Sequence, residues 1–269
     1  MRYVRPSTVE QAVAGLAEGG HALAGGTVLV PLLLSQAAQP SALWDLQQLS
    51  DLSSISTDTD AVCIGAMVSL AALSSSPVIL AECAALAEAA LAVGNPQVRN
   101  AATLGGNIAS PHTDLPPALL ALDAEITLAK QDGVLTEPLE QFLTTGTKGL
   151  IMQVRLPRRK SRRSRFIKFA WRASSGRTIA SVAGTVTLDD GKVAEARFVC
   201  AGVADKPARL TAVENALVGR EPTQALFRQA AGIGSAGIVF QAAQPPREEY
   251  RRHLVEAGIL QILKDLAIA

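Results

Sequence analysis

Apolar positions recur with a helical period near the amino terminus, at Val9, Ala12, Val13 and Leu16, and the pattern stops at Gly19-Gly20. Ser7-Thr8-Val9-Glu10 reads as a capping box in front of it, so a short helix is predicted there. His21 to Ala24 reads as a short strand, and the apolar run Val28 to Leu34 as a second helix. Short strands are predicted over Ala42–Asp45 and Ala61–Gly65, on either side of a polar turn at Ser53–Asp60. Ser69–Leu73 reads as a short helix, and Pro77 opens a longer one over Val78–Ala92. After the apolar run Ala118–Leu122 come a strand at Ile126–Ala129, a turn at Asp132-Gly133, a helical turn at Pro138–Leu143 and a strand at Leu150–Leu156. Thr178 to Leu188 alternates with period two, turns at Asp189-Asp190-Gly191 and returns through Lys192–Cys200, which predicts a hairpin. A final amphipathic helix runs from Tyr250-Arg251-Arg252 to about Leu266, whereas Ile233–Phe240 carries no pattern.

The stretch from Gly94 to Ala124 organises the rest. Asn95-Pro96 marks a turn, because a residue before proline is pushed out of the helical region. Thr103 to Asn107 (TLGGN) sets two glycines side by side, which predicts positive φ and a row of exposed N–H groups suited to an anion. Asp114 stands before Leu115-Pro116-Pro117 as a candidate helix cap. A second Gly-Gly loop, Ala24-Gly25-Gly26-Thr27, links the strand at His21 to the helix beginning near Val28, the geometry of a phosphate cradle. It lacks GxxxxGK and GxGxxG, so it is neither a nucleotide-hydrolysing P-loop nor a Rossmann turn. Two such loops can grip one pyrophosphate from two sides.

Composition narrows the class. With 269 residues, 48% of them hydrophobic, the chain can bury a large core in one or two domains. A net charge of +1 and 4% aromatic content argue against nucleic acid as a partner. Cys63, Cys83 and Cys200 are far apart with no CxxC, which predicts neither a zinc nor an iron–sulfur site and fits a reducing compartment. No membrane span and no secretory signal is read, so a cytoplasmic protein is expected. The strongest charge feature is basic: between Arg155 and Leu188 there is no acidic residue, and ten positions from Arg155 to Arg177 are Arg or Lys. That run reads as a solvated connecting loop, an anion site or a partner surface. His112 beside Asp114 invites a hydrolase or metal reading, but His21 and His253 are remote and no supporting motif occurs.

The Gly94–Ala124 stretch resembles the FAD-binding signature of the flavoprotein subunits of molybdenum hydroxylases, a family that includes the carbon monoxide dehydrogenase medium subunit and the xanthine dehydrogenase FAD domain. The resemblance rests on Gly94, Val98-Arg99-Asn100, Ala102-Thr103, Gly105-Gly106-Asn107-Ile108, Ser110-Pro111, Asp114-Leu115-Pro116 and Leu119–Ala124. Phe166-Ile167-Lys168 with Arg172 is similar to the family's Lys-x-x-x-Arg segment, and Thr178-Ile179-Ala180 to its Asp-Ile-Ala, with Thr in place of Asp. The loop between Asn107 and Ser110 is shorter than the family's, and Val28 stands where the family often has an acidic or polar residue.

The fold that the resemblance implies is α+β: a two-lobed FAD-binding domain of the vanillyl-alcohol-oxidase-like (PCMH) type over residues 1–158, with lobes of about 1–55 and 56–158, and a smaller α+β carboxy-terminal domain over 163–269. The implied cofactor is FAD. Leu23, Ala24, Gly25, Gly26, Thr27, Val28, Leu29, Gly94, Gly105 and Gly106 would bind it, with the glycine loops on its pyrophosphate. Thr103, Asn107, Ser110, Thr113 and Asp114 would hold its polar groups, Ile151 would pack on the ring, and Lys168 would favour the reduced, anionic flavin. No general acid or base is required. The implied function is electron exit: substrate oxidised on a large molybdopterin subunit, electrons crossing a small subunit with [2Fe–2S] clusters to FAD here, then leaving to NAD⁺, oxygen or a quinone, in a dimer of heterotrimers. A stand-alone FAD oxidoreductase and a flavin-poor structural or assembly subunit remain open beside it.

Overall fold

The computed structural model describes residues 1–110, 114–172, 176–241 and 245–267. The first elements are β1 (Arg2–Val4), α1 (Val9–Ala17), β2 (His21–Leu23), α2 (Leu29–Leu34), β3 (Ala42–Asp45), β4 (Ile55–Thr57) and β5 (Ala61–Gly65). A helical stretch follows: α3 (Leu70–Ser75), α4 (Pro77–Glu82), α5 (Ala84–Leu91), α6 (Pro96–Ala101), α7 (Leu104–Ile108) and α8 (Pro116–Ala121). Next come β6 (Glu125–Lys130), β7 (Gly133–Pro138), α9 (Leu139–Thr145), β8 (Leu150–Pro157), β9 (Arg162–Ala170), β10 (Thr178–Asp189) and β11 (Lys192–Ala201). The chain closes with β12 (Ala208–Arg209), α10 (Thr211–Leu217), α11 (Gln224–Gly232) and α12 (Glu248–Ala267). Two compact units result: Met1–Ala72 with Pro96–Thr113 and Asp123–Arg158, and Leu73–Asn95 with Asp114–Leu122 and Arg159–Ala269.

In the first unit a parallel sheet of order β1-β3-β2 carries α1 as a crossover. The cap of α1 is Thr8, whose Oγ1 accepts from Gln11 N, while Gln11 Oε1 accepts from Ser7 N at 3.0 Å. The box therefore runs Thr8 to Gln11, one residue beyond the predicted one. Val9 and Leu16 pack on the buried cluster that holds Ala12 and Val13, which is why that stripe is apolar. The second sheet, β4-β5-β8-β6-β7, is antiparallel. Ile64, Val154 and Ile126 stand in register on its core face, all fully buried. One residue away on β5, β8 and β6, Cys63, Arg155 and Glu125 are in register on the opposite face, with Arg155 Nη1 3.2 Å from Glu125 Oε2.

The second unit is built on the sheet β12-β11-β10-β9. Its hairpin turns where Asp190 and Gly191 take positive φ (46° and 72°). One face, with Val182, Phe198 and Cys200, shares a core with Val213, Phe227, Val255 and Ile259 of α10–α12. The other meets α5 and α8: Ser164 Oγ accepts from Ala85 N at 3.1 Å, and Thr185 Oγ1 donates to Ala121 O at 3.2 Å.

Two expectations change here. The predicted helix over Val78–Ala92 is two helices, broken at buried Cys83 (φ −140°, ψ 46°). The break is tolerated because Ser164 takes the Ala85 amide that the interruption frees. The basic run is largely a strand rather than a loop, and several of its cations make structural contacts. Arg162 Nη1 donates to Leu122 O (3.2 Å), Arg163 Nη1 to Leu266 O (3.1 Å) and Lys168 Nζ to Ala92 O (3.1 Å), at the carboxy-terminal ends of α8, α12 and α5. Helix ends leave carbonyls without intrahelical donors and carry partial negative charge, so a basic strand fastens three of them at once. Arg165 adds ion pairs to Glu88 and to Asp265, the latter at 3.0 Å. No helix among the described residues is long and apolar enough to cross a membrane.

Candidate cofactor site

The loop Ala24–Val28 leaves β2 and opens α2. Gly26 has φ +69°, and Gly26 O accepts from Val30 N at 2.9 Å, so the loop closes directly into the helix. Val28 is the residue in front of α2 and caps nothing with its side chain. Among the described residues, the backbone N–H groups of Gly25, Gly26, Thr27 and Val28 have no protein acceptor. Gly25 allows a close approach that no other residue would: a Cβ there would lie 1.8 Å from Ala101 O. Leu23 ends β2, and Leu29 is half-buried in the first turn of α2.

The Thr103–Asn107 segment approaches this loop from α6. Neither glycine takes positive φ, and the segment does not offer a row of free amides as predicted. It is α7, and its N–H groups are already spent. Leu104 N donates to Val68 O, Gly105 N to Ala66 O (2.8 Å), Gly106 N to Thr103 Oγ1 (3.2 Å) and Asn107 N to Thr103 O. The glycines serve space instead. A Cβ on Gly105 would lie 2.8 Å from Ala66 Cβ; Gly106 is exposed, and its Cβ would meet Thr103 Oγ1 at 3.0 Å and Ala24 Cβ at 3.9 Å. Ala66 N in turn donates to Met152 O, so a backbone relay ties α7 to β8, where Ile151 is buried in register with Leu128. Ala66 and Ala101 shape the loops, yet two small residues carry no signal that sequence reasoning could use. Because Thr103 both caps α7 and is buried, Thr103→Val should cost about 1 kcal/mol of stability, read by urea unfolding, through the orphaned Gly106 amide.

In the second unit, Asp114 does not cap α8, whose preceding residue is Leu115 without a side-chain bond. Its Oδ2 accepts from Lys168 Nζ at 2.6 Å and its Oδ1 from Thr178 Oγ1 at 2.6 Å. Lys168 and Asp114 side chains are only 10% and 16% exposed, so this is a largely desolvated pair. Gly94, with φ +49°, sits two residues beyond Ala92, the other partner of Lys168. Ser110 N donates to Asn107 O at 3.2 Å, so the short link after α7 is a tight turn. Thr113, together with Pro111 and His112, lies outside the described residues. Among the described residues no cluster of His, Cys, Asp and Glu could hold a metal.

The donor set fits a diphosphate: four consecutive amides unpaired among the described residues, a glycine surface where Gly106 faces Ala24, and no acidic side chain in Leu23–Leu29 or Thr103–Asn107. Comparison with known proteins identifies the family. The family profile described as "FAD binding domain in molybdopterin dehydrogenase" matches residues 1–159, and "CO dehydrogenase flavoprotein C-terminal domain" matches 165–266. The chain is similar to the glyceraldehyde dehydrogenase medium chain of Sulfolobus acidocaldarius, at 30% identity over 98% of both chains. It is 34% identical to the 6-hydroxypseudooxynicotine dehydrogenase complex subunit alpha of Paenarthrobacter nicotinovorans, over 80% of this chain and 77% of that one. Its fold superposes with a TM-score of 0.89 and 28% identity on carbon monoxide dehydrogenase from Hydrogenophaga pseudoflava, covering 100% of this chain and 97% of that one. The resemblance read from Gly94–Ala124 thus holds over the whole length, and the chain belongs to the FAD-binding medium subunits of the molybdenum-hydroxylase-type dehydrogenases.

Proposed function

We propose that this chain is the electron-exit subunit of a molybdenum hydroxylase complex, holding FAD with its diphosphate against the amides of Gly25–Val28. The run of unpaired amides at that loop carries the reading. When bound, FAD supplies the redox chemistry, accepting electrons singly and releasing them in pairs. The chain's own residues bind and orient. Gly25 and Gly106 keep the cradle free of side chains, Thr103 holds α7 in place, and Thr27, Asn107, Ser110 and Thr113 offer polar groups to the cofactor's hydroxyls. Ile151 is the apolar contact proposed for the ring, and Gly94 allows the chain to turn close to it. Lys168 is proposed beside the flavin, its charge offset by Asp114. Reducing equivalents would come from the [2Fe–2S] clusters of a small partner subunit, with substrate oxidised on a large molybdopterin subunit. They would leave to NAD⁺, oxygen or a quinone, in a cytoplasmic dimer of heterotrimers.

The test is the visible spectrum of the purified chain, release of its cofactor and FAD titration with thermal unfolding. Flavin bands with about one FAD released per chain are expected, and FAD at a hundredfold excess over its Kd should add about 2.7 kcal/mol of stability. A colourless chain whose melting temperature ignores saturating FAD would overturn the reading in favour of a structural subunit. Co-expression with the two partner subunits should yield one complex by size-exclusion chromatography.

A further inference from the structure

We propose that Lys168, Asp114 and Thr178 form a clamp that holds the two ends of the Pro96–Thr113 segment, and that Lys168 is a positioning residue for cofactor binding. The inference rests on the FAD reading above. The chain leaves the second unit after Asn95, runs through Pro96–Thr113 in the first, and returns to the second at Asp114. That excursion carries α6 and α7, hence Thr103, Gly105 and Gly106. All the clamp's atoms belong to the second unit. Lys168 Nζ donates to Ala92 O at 3.1 Å, just before the segment departs, and to Asp114 Oδ2 at 2.6 Å, where it returns. One ammonium thus bridges both ends. Closing a loop costs chain entropy, and closing it before the ligand arrives spares that cost at binding.

Hydrogen-bond accounting explains the departure at Thr178. An ionised Asp114 only accepts; Lys168 occupies one oxygen and the Thr178 hydroxyl donates to the other at 2.6 Å. The Asp that the Asp-Ile-Ala resemblance anticipates at this position has no proton to give when ionised and would set two carboxylates together. Thr178 is matched to the clamp rather than lost from the site.

The experiment follows hydrogen exchange of the Leu104–Asn107 amides in the flavin-free full chain, alongside the Kd for FAD, in Lys168→Met, Thr178→Val and Thr178→Ser. These amides are hydrogen-bonded, so their exchange reports local opening. Lys168→Met should speed exchange and weaken FAD by about tenfold or more, as expected for a lost charged hydrogen bond. Thr178→Val should do so by about threefold, and Thr178→Ser, which keeps the hydroxyl, should match wild type. Weaker FAD binding with unchanged exchange in the flavin-free chain would mean that Lys168 acts on the cofactor alone, without holding the segment, and would overturn the clamp. A wild-type chain that takes up no FAD would overturn the cofactor reading itself, an outcome distinct from the first.

Discussion

Gly25→Ala is expected to weaken FAD binding by at least about a hundredfold. The added Cβ would stand 1.8 Å from Ala101 O and 2.6 Å from the Ala101 carbonyl carbon, both backbone atoms that no side-chain rotation can move. The β2–α2 loop must then part from the segment leading into α7, and the amides of Gly25–Val28 go with it. Overpacking of this kind costs about 1–3 kcal/mol in stability, and the cofactor feels the displacement in addition, so a rise in Kd of at least about a hundredfold is expected. Gly232→Ala is the control: at the end of α11, a Cβ there meets nothing within 4 Å, so FAD affinity should stay at the wild-type value and the melting temperature should hold or rise slightly, since Ala favours a helix over Gly. Fluorescence titration of FAD against the two variants makes the comparison. A Gly25→Ala chain that binds FAD like wild type would remove the β2–α2 loop from the site.

Where the sequence was readable, its determinants were local. The stripe and cap of α1, the β10–β11 hairpin around Asp190-Gly191 and the long α12 all lie within a few residues of what specifies them. The site loops were legible as glycine pairs, but the use made of the glycines was not. Gly105 and Gly106 look like a turn; only the position of Ala66, far off in the chain, turns them into a close-packed helix start. Asp114 looked like a cap because Pro116-Pro117 follows it, yet Lys168 and Thr178, separated from it by 54 and 64 positions, claim its oxygens. The basic run gave the same lesson, since the carbonyls and carboxylates that absorb its charge are 30 to 103 positions away. β7 went unread because an exposed edge strand bounded by Gly133 and Pro138 lacks the apolar run of a central one. The apolar run at α2 does form the expected helix, yet none of its residues is buried; Leu34 is 80% exposed. Hydrophobic pattern gives the element and its period, while burial depends on partners the pattern does not contain.

The second large effect is expected at high pH. Burial pushes the Cys83 thiol from its ordinary 9.0 up to about 11 and the Cys200 thiol up to about 12. A folded-state value raised above the unfolded one means that the folded chain holds its proton longer. Below pH 9 both states are protonated, and the thiols add no pH dependence. Above it the unfolded chain loses protons that the folded chain keeps, so stability falls until the pH passes the folded values. Each such thiol contributes at most about 1.4 kcal/mol per pH unit in that window, and because Cys83 begins to ionise in the folded chain near pH 11, the pair should steepen the loss between pH 10 and 11 by about 2 kcal/mol. Lysines and tyrosines titrate in the same range, and the comparison has to remove them. Urea unfolding of wild type and of the Cys83→Ala/Cys200→Ala double variant across pH 8–11 does so, because those groups are common to both. The variant starts lower, from lost packing at two buried sites. Its curve should nevertheless be the flatter one, and the two should converge as pH rises. Parallel curves would mean that both thiols ionise as readily folded as unfolded, which their burial at 1% and 0% exposure forbids unless those regions open below the global transition.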